Sequence, residues 1–120
     1  MNYLGVDYGQ KNIGLAIAVK GIISPVGTFP NRPKIYTTIL SLIEEYQITH
    51  IAIGITPSKN NPQIKKFAQS LKSRFNLDLT FVDENTTTRQ AQEYLVQNQH
   101  PKSTAPDAIA AAIILSRIII

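Results

Sequence analysis

Three acidic residues in this 120-residue sequence occupy positions from which they could hold a metal ion: Asp7, Glu84 and Asp107. Asp7 ends an apolar run at residues 3–6 that is typical of a strand, and Glu84 follows a second such run at residues 77–82. Carboxylate oxygens are the ligands that Mg²⁺ or Mn²⁺ prefers. Two such ions held ~4 Å apart can activate a water and stabilise the leaving oxygen in phosphodiester hydrolysis. The acids therefore indicate a candidate divalent-metal site.

The elements that must position these acids are predicted from hydrophobic periodicity. Apolar runs bounded by turn residues predict five strands, and apolar residues at helical spacing predict four helices. Pro25 restricts the third strand to an edge, because proline cannot donate to an interior ladder. The predicted strands cover residues 3–7, 13–19, 21–26, 50–55 and 77–82, and the predicted helices cover 34–46, 64–75, 89–97 and about 104–120.

This order of elements predicts an α/β fold. The first three strands form an antiparallel meander, and right-handed crossovers place the last two parallel to the first, giving a mixed five-stranded sheet with helices on both faces. Parallel strands end at the same edge, where open α/β sheets bind ligands. Asp7 and Glu84 are therefore expected at one edge, and Asp107 reaches it if the last helix begins there.

Composition limits the possible classes of protein. The length predicts a single domain spanning residues 1–120. The absence of cysteine excludes a disulfide framework and thiolate metal sites, and the longest apolar run is shorter than a membrane span requires. We therefore expect a soluble, cytoplasmic protein with no membrane partner. Twelve basic residues against eight acidic ones give a formal charge of +4, which moderately favours a polyanionic partner.

Four motifs give the chain a resemblance to a known family. They are Gly5-Val6-Asp7-Tyr8-Gly9, Ile53-Gly54-Ile55-Thr56-Pro57, Val82-Asp83-Glu84 and Asp107-Ala108-Ile109-Ala110-Ala111. Each motif alone is weakly specific, but the four occur in the order and at the spacing of the YqgF family, also called RuvX. This family belongs to the ribonuclease H-like superfamily, and the resemblance spans essentially the whole chain.

The resemblance implies a ribonuclease H-like fold and a divalent-metal-dependent nuclease in which Asp7, Glu84 and Asp107 are the catalytic metal ligands. Two roles are proposed for the family: trimming the 5′ end of precursor 16S ribosomal RNA, and, by analogy with the RuvC resolvases, cutting Holliday junctions. The implied partners are structured RNA, including ribosomal precursor particles, or branched DNA. The sequence does not choose between these substrates.

Further residues are candidates for contact with nucleic acid. The family usually places an arginine after its Asp-Glu pair, whereas this chain has Asn85, so a phosphate contact there would be lost or transferred to Arg89. Lys11 follows Asp7 in a turn and could contact a phosphate, although an exposed turn lysine is more often only solvated. Asp83 could assist the metal, but strand periodicity points it away from Glu84. The nucleic-acid-binding candidates are Lys11, Lys59, Thr87 and Arg89.

Other interpretations of the same residues stay open. Each acid alone could be a solvated turn residue or could stabilise a helix N-terminus. Residues 7–14 also resemble the first phosphate loop of actin-like ATPases and sugar kinases, which would make the chain a nucleotide-binding module. A third alternative is a non-catalytic scaffold that binds nucleic acid. The apolar end of the last helix, residues 118–120, is a possible homodimer contact.

Overall fold

The protein, seen here in a computed structural model, is described over residues 1–55, 62–83 and 106–119. Within these ranges no helix is long and apolar enough to cross a membrane. The elements are β1 (Tyr3–Tyr8), β2 (Asn12–Val19), β3 (Ile22–Pro30), α1 (Ile35–Tyr46), β4 (His50–Ile55), α2 (Pro62–Phe75), β5 (Asp78–Asp83) and α3 (Pro106–Ile119).

The five strands form one mixed sheet in the order β3-β2-β1-β4-β5. β2 pairs antiparallel with both β1 and β3, whereas β4 pairs parallel with β1 and β5 pairs parallel with β4. This topology confirms the predicted meander and the two parallel strands. The carboxyl ends of β1, β4 and β5 therefore lie along one edge of the sheet.

The two faces of the sheet carry side chains of different sizes, because the strands alternate large and small residues. The face that carries the large residues packs with α1 and α2. The face that packs against α3 presents small residues, so the helix can approach the sheet closely. Large side chains on the first face include Leu4, Val6, Ile13, Leu15 and Ile17, and small residues facing α3 include Gly5, Gly14, Ala16, Ala18 and Ala52.

The third strand is longer than the sequence pattern predicts. β3 was expected at residues 21–26, but it continues to Pro30, which pairs with Asn12 of β2. A register shift between Leu15 and Ala16 lets β3 continue past Pro25 without losing its pairing. β3 is an edge strand, as Pro25 requires.

The last helix is amphipathic in burial although it is apolar in sequence. Ala108, Ala111 and Leu115 are fully buried against the sheet, whereas Arg117 and Ile118 are exposed near its end. α3 includes Pro106 in its first turn, as predicted, because a proline there loses no helical hydrogen bond. The predicted helix at residues 89–97 lies outside the described part of the chain.

Candidate active site

Asp7 projects from β1 toward α3. A Cβ atom built on Gly5, two residues earlier on the same side of the strand, would lie 2.6 Å from the main-chain oxygen of Ala111. Asp7 also pairs with Gly14 of β2, and residues directly opposite in an antiparallel pair point to the same face. The half-buried Asp7 side chain therefore lies on the α3 face, one residue before β1 ends.

Asp107 reaches the same place because Gly14 has no side chain. A Cβ atom at Gly14 would collide with the main-chain carbonyl of Asp107 and would lie 2.9 Å from the Asp107 Cβ. The first turn of α3 therefore rests directly on β2 beside the position opposite Asp7. Any larger residue at position 14 would force the start of the helix away from the sheet.

These contacts bring two acids together that lie far apart in the sequence. Opposite Cβ positions in an antiparallel pair are about 5 Å apart, so the Cβ atoms of Asp7 and Asp107 lie within about 8 Å of each other. Both side chains are half-buried. Two carboxylates at this separation can reach one cation, which would offset the repulsion between their charges. The donor set therefore fits a divalent cation that prefers oxygen ligands.

The third predicted ligand lies outside the part of the chain that the structure describes. Glu84 comes directly after β5, which ends at Asp83, and the nucleic-acid candidates Lys59, Thr87 and Arg89 also fall outside the described ranges. Over those ranges no group of three acidic, histidine or cysteine side chains could hold a metal ion. The pairing of Asp7 with Asp107 is thus the part of the predicted site that the described residues contain.

Asp83 does not share the face of these two acids. Its neighbour Val82 packs in the cluster beneath α3, so strand alternation directs the exposed Asp83 to the opposite face. The sequence-based expectation that Asp83 points away from Glu84 stays a prediction, because Glu84 lies outside the described residues. Asp83 therefore offers a matched control for experiments on Asp7.

Asn31 fixes the turn that follows Asp7. Its side-chain amide donates to the carbonyl of Gly9 at 2.8 Å, and its main-chain N–H donates to the carbonyl of Lys11 at 2.9 Å. The loop after β3 thereby holds the β1–β2 turn at the sheet edge. Lys11, a predicted phosphate contact, is exposed on this turn.

Thr28 places a buried hydroxyl on the same face. It pairs with Gly14 on the side opposite Asp7, so Asp7, Gly14 and Thr28 form one row across three strands. The Thr28 hydroxyl oxygen is buried and has no hydrogen-bond partner among the described residues. A buried polar atom of this kind is costly to stability, so it is unusual in a packed structure.

Sequence reasoning missed the parts played by Gly14, Thr28 and Asn31. One local signal was available, because β2 alternates small residues, Gly14, Ala16 and Ala18, with large apolar ones. Such alternation indicates that one face of the sheet accepts a close neighbour. The partners of Thr28 and Asn31 are set by strand register, which the local pattern does not reveal.

The family model for RuvX, described as a Holliday junction resolvase, matches residues 1–119. The chain belongs to the RuvX family. A Rickettsia typhi relative, named as a candidate pre-16S rRNA nuclease, is 31% identical to this RuvX-family protein over an alignment of 129 positions. That alignment covers 97% of the chain and 83% of the relative.

Solved structures share the fold of this RuvX-family protein. The RuvC structure from Thermus thermophilus has a TM-score of 0.69 at 13% identity, covering 99% of this chain and 94% of RuvC. Fowlpox virus resolvase, solved with Holliday junction DNA, has a TM-score of 0.62 at 17% identity, covering 98% of this chain and 97% of the resolvase. These similarities confirm the predicted ribonuclease H-like fold.

Proposed function

We propose that this RuvX-family chain is a divalent-metal-dependent nuclease that processes the 5′ end of precursor 16S ribosomal RNA. The observation that carries the proposal is the convergence of Asp7 and Asp107 at the carboxyl edge of the sheet through Gly14. The relative from R. typhi supports the choice of substrate by its name. A single domain over residues 1–120, acting in the cytoplasm on ribosomal precursor particles, is part of the same proposal.

The roles of the chain's own residues follow from their positions. Asp7 is held by the β1–β2 ladder and Asp107 by the contact of α3 with Gly14, so neither acid has to move far to act. Glu84, directly after β5, completes the set in our proposal. With these acids as ligands, Mg²⁺ or Mn²⁺ would stabilise the charge that develops on the scissile phosphate and activate water for attack.

The test is cleavage of an end-labelled RNA that carries the precursor 5′ extension of 16S rRNA, in buffers with Mg²⁺, Mn²⁺ or EDTA. We expect Asp7→Asn and Asp107→Asn to reduce the cleavage rate by roughly 100-fold or more, the scale seen when one transition-state contact is removed. Glu84→Gln should behave in the same way. Asp83→Asn should cleave at the wild-type rate, because Asp83 lies on the other face of the sheet.

Folding and binding are measured for each variant, by thermal unfolding and by RNA affinity. Equal cleavage by wild type and Asp7→Asn would disprove the role of this acid. If the wild-type chain binds the RNA but does not cleave it with Mg²⁺ or Mn²⁺, the scaffold alternative would be favoured. Binding of ATP by the wild-type chain in the absence of RNA would favour the nucleotide-binding alternative.

Cutting of Holliday junctions is the second candidate function. The structural similarity to fowlpox virus resolvase, solved with junction DNA, and the family description favour it. A labelled four-way DNA junction in the same assay separates the two substrates. Symmetric cuts in the junction together with a dimer by light scattering would support resolution, because two equivalent cuts require two related active sites.

A further inference from the structure

A groove lies on the sheet face opposite the acids and begins at the same edge. It has a volume of about 670 Å³ and runs between the end of β1, α1 and α2. Tyr8 and Gln10 line it near the edge, and Gln63, Lys66 and Ser70 line it along α2. Tyr8 directly follows Asp7, so the acids and the groove lie on the two sides of one strand end.

α2 contributes only positive charge to this surface. The helix contains four basic residues and no acidic one. Lys66, Ser70 and Arg74 recur every fourth residue and therefore form a row along one flank of the helix. Lys65 and Lys72 are seven residues apart, do not line the groove, and lie on the other flank. We call Lys66, Ser70 and Arg74 the basic row.

The guanidinium of Arg74 is held in place by two contacts. It lies 4.0 Å from the ring centroid of Tyr36 on α1, and its Nε donates to the Ser70 hydroxyl at 3.3 Å. The Tyr36 ring in turn packs 5.9 Å from the ring of Phe67. An arginine stacked in this way loses little conformational freedom when its remaining donors bind a phosphate.

Within the described ranges no carboxylate pairs with the basic row. The acid–base contact seen there joins Nε2 of His50 to Asp78 at 3.2 Å and does not involve Lys66 or Arg74. Lys66 is exposed and Arg74 is exposed, so both charges are accessible to a ligand. The groove and Arg74 beside it therefore combine accessible positive charge, a fixed guanidinium and polar side chains, which is the surface that a phosphate backbone requires.

We propose that the basic row binds the backbone of the nucleic acid substrate outside the catalytic edge. A strand positioned at Asp7 and Asp107 continues over the β1–β2 turn into the groove, where Lys66 contacts one phosphate, and then along α2 to Arg74 beside the groove, which contacts another. The two residues are ~12 Å apart along the helix axis, so they engage different phosphates. The inference rests on the proposed nuclease function, since it assigns a second contact to the same substrate.

The experiment measures RNA affinity in the Asp7→Asn background, where the labelled precursor RNA is bound without being cut. Lys66→Gln/Arg74→Gln is compared with Lys65→Gln/Lys72→Gln, which removes the same charge from the same helix on its other flank. We expect the first pair to weaken binding roughly tenfold. The negative slope of log affinity against log salt should also become shallower by about 1.4. The control pair should change the affinity and the slope far less.

Equal losses in the two double variants, or no loss in either, would overturn the inference. Because affinity is measured without cleavage, this result does not depend on whether the wild-type chain is an active nuclease. Conversely, a wild-type chain that cuts nothing while the two pairs differ as expected would contradict the nuclease proposal alone. Thermal unfolding checks that each variant is folded. If the variant that carries Arg74→Gln is unfolded, the single variant Lys66→Gln is measured in its place.

Discussion

At the scale of single residues, the candidate site depends on a glycine, Gly14, which has no side chain. Asp7 and Asp107 approach each other because Gly14 lets the main chain of α3 rest on β2. Thr28 continues the same row on the next strand and carries a buried hydroxyl without a partner among the described residues. An arrangement that brings carboxylates together and buries a hydroxyl costs stability, which is common at sites selected for function.

The Thr28 hydroxyl gives a prediction about stability. Thr28→Val replaces a buried hydroxyl, which no described residue bonds, by a methyl group of similar size, so we expect the free energy of unfolding to rise by about 1 kcal/mol. Urea unfolding measures the change. Thr49→Val is the comparison, because the Thr49 hydroxyl lies 2.7 Å from Nδ1 of His50 and loses a hydrogen bond when removed. A loss of stability in Thr28→Val would show that its hydroxyl is satisfied.

At the scale of elements, α3 is the helix that brings Asp107 to the candidate site. Small residues on three strands let it approach the sheet, and the contact of its first turn with Gly14 sets the position of Asp107. The depth of this packing is a property of the helix and the sheet together. A change that lifts the helix should therefore affect both stability and cleavage.

Gly14→Ala is the change that lifts the helix. The new Cβ would collide with the carbonyl of Asp107, and we expect a loss of about 1–3 kcal/mol in unfolding free energy. Cleavage should fall as well, because Asp107 moves. Gly27→Ala on the neighbouring strand is the control, since among the described residues its Cβ would meet the edge of the Phe29 ring at 3.5 Å, which is an ordinary contact. Wild-type cleavage by a folded Gly14→Ala variant would contradict this role of Gly14.

Elements with a strong local pattern were predictable. β4 is a continuous apolar run, and α1 and α2 have apolar stripes, so their existence and nearly their bounds follow from the sequence. The extension of β3 was not predicted, because Gly27 and Pro30 imitate a turn and the pairing with β2 overrides them. The metal-ligand role of Glu84 and the nucleic-acid contacts of Lys59, Thr87 and Arg89 remain predictions, because these residues lie outside the described ranges.

Contacts between distant elements could not be predicted from local pattern. Lys66 and Arg74 lie off the apolar stripe of α2, and nothing near them in the sequence shows that Tyr36 lies beneath the guanidinium of Arg74. Likewise, the meeting of Asp7 with Asp107 was expected only if the last helix began at the right edge. Both contacts depend on how helices pack on the sheet, which is set by the whole core.

At the scale of the whole molecule, we expect metal binding to increase the stability of the folded chain. A ligand that binds only the folded chain raises its unfolding free energy, by about 2.7 kcal/mol when its concentration is 100 times its dissociation constant. We expect Mg²⁺ or Mn²⁺ to raise the melting temperature of wild type and of Asp83→Asn relative to EDTA. Asp7→Asn should show little increase. An equal increase in all three proteins would place the ion elsewhere.

The docking of α3 on Gly5 and Gly14 also has a consequence for biosynthesis. Asp7 and Asp107 are one hundred positions apart, and ribosomes deliver chains at roughly 5–20 residues per second, the N-terminal part folding first. A nascent chain that has just completed β5 contains Asp7 but has no α3 to bring Asp107 to it. If the proposed site is correct, a growing copy of this chain is therefore unable to cut RNA until α3 has been made and has docked on the sheet.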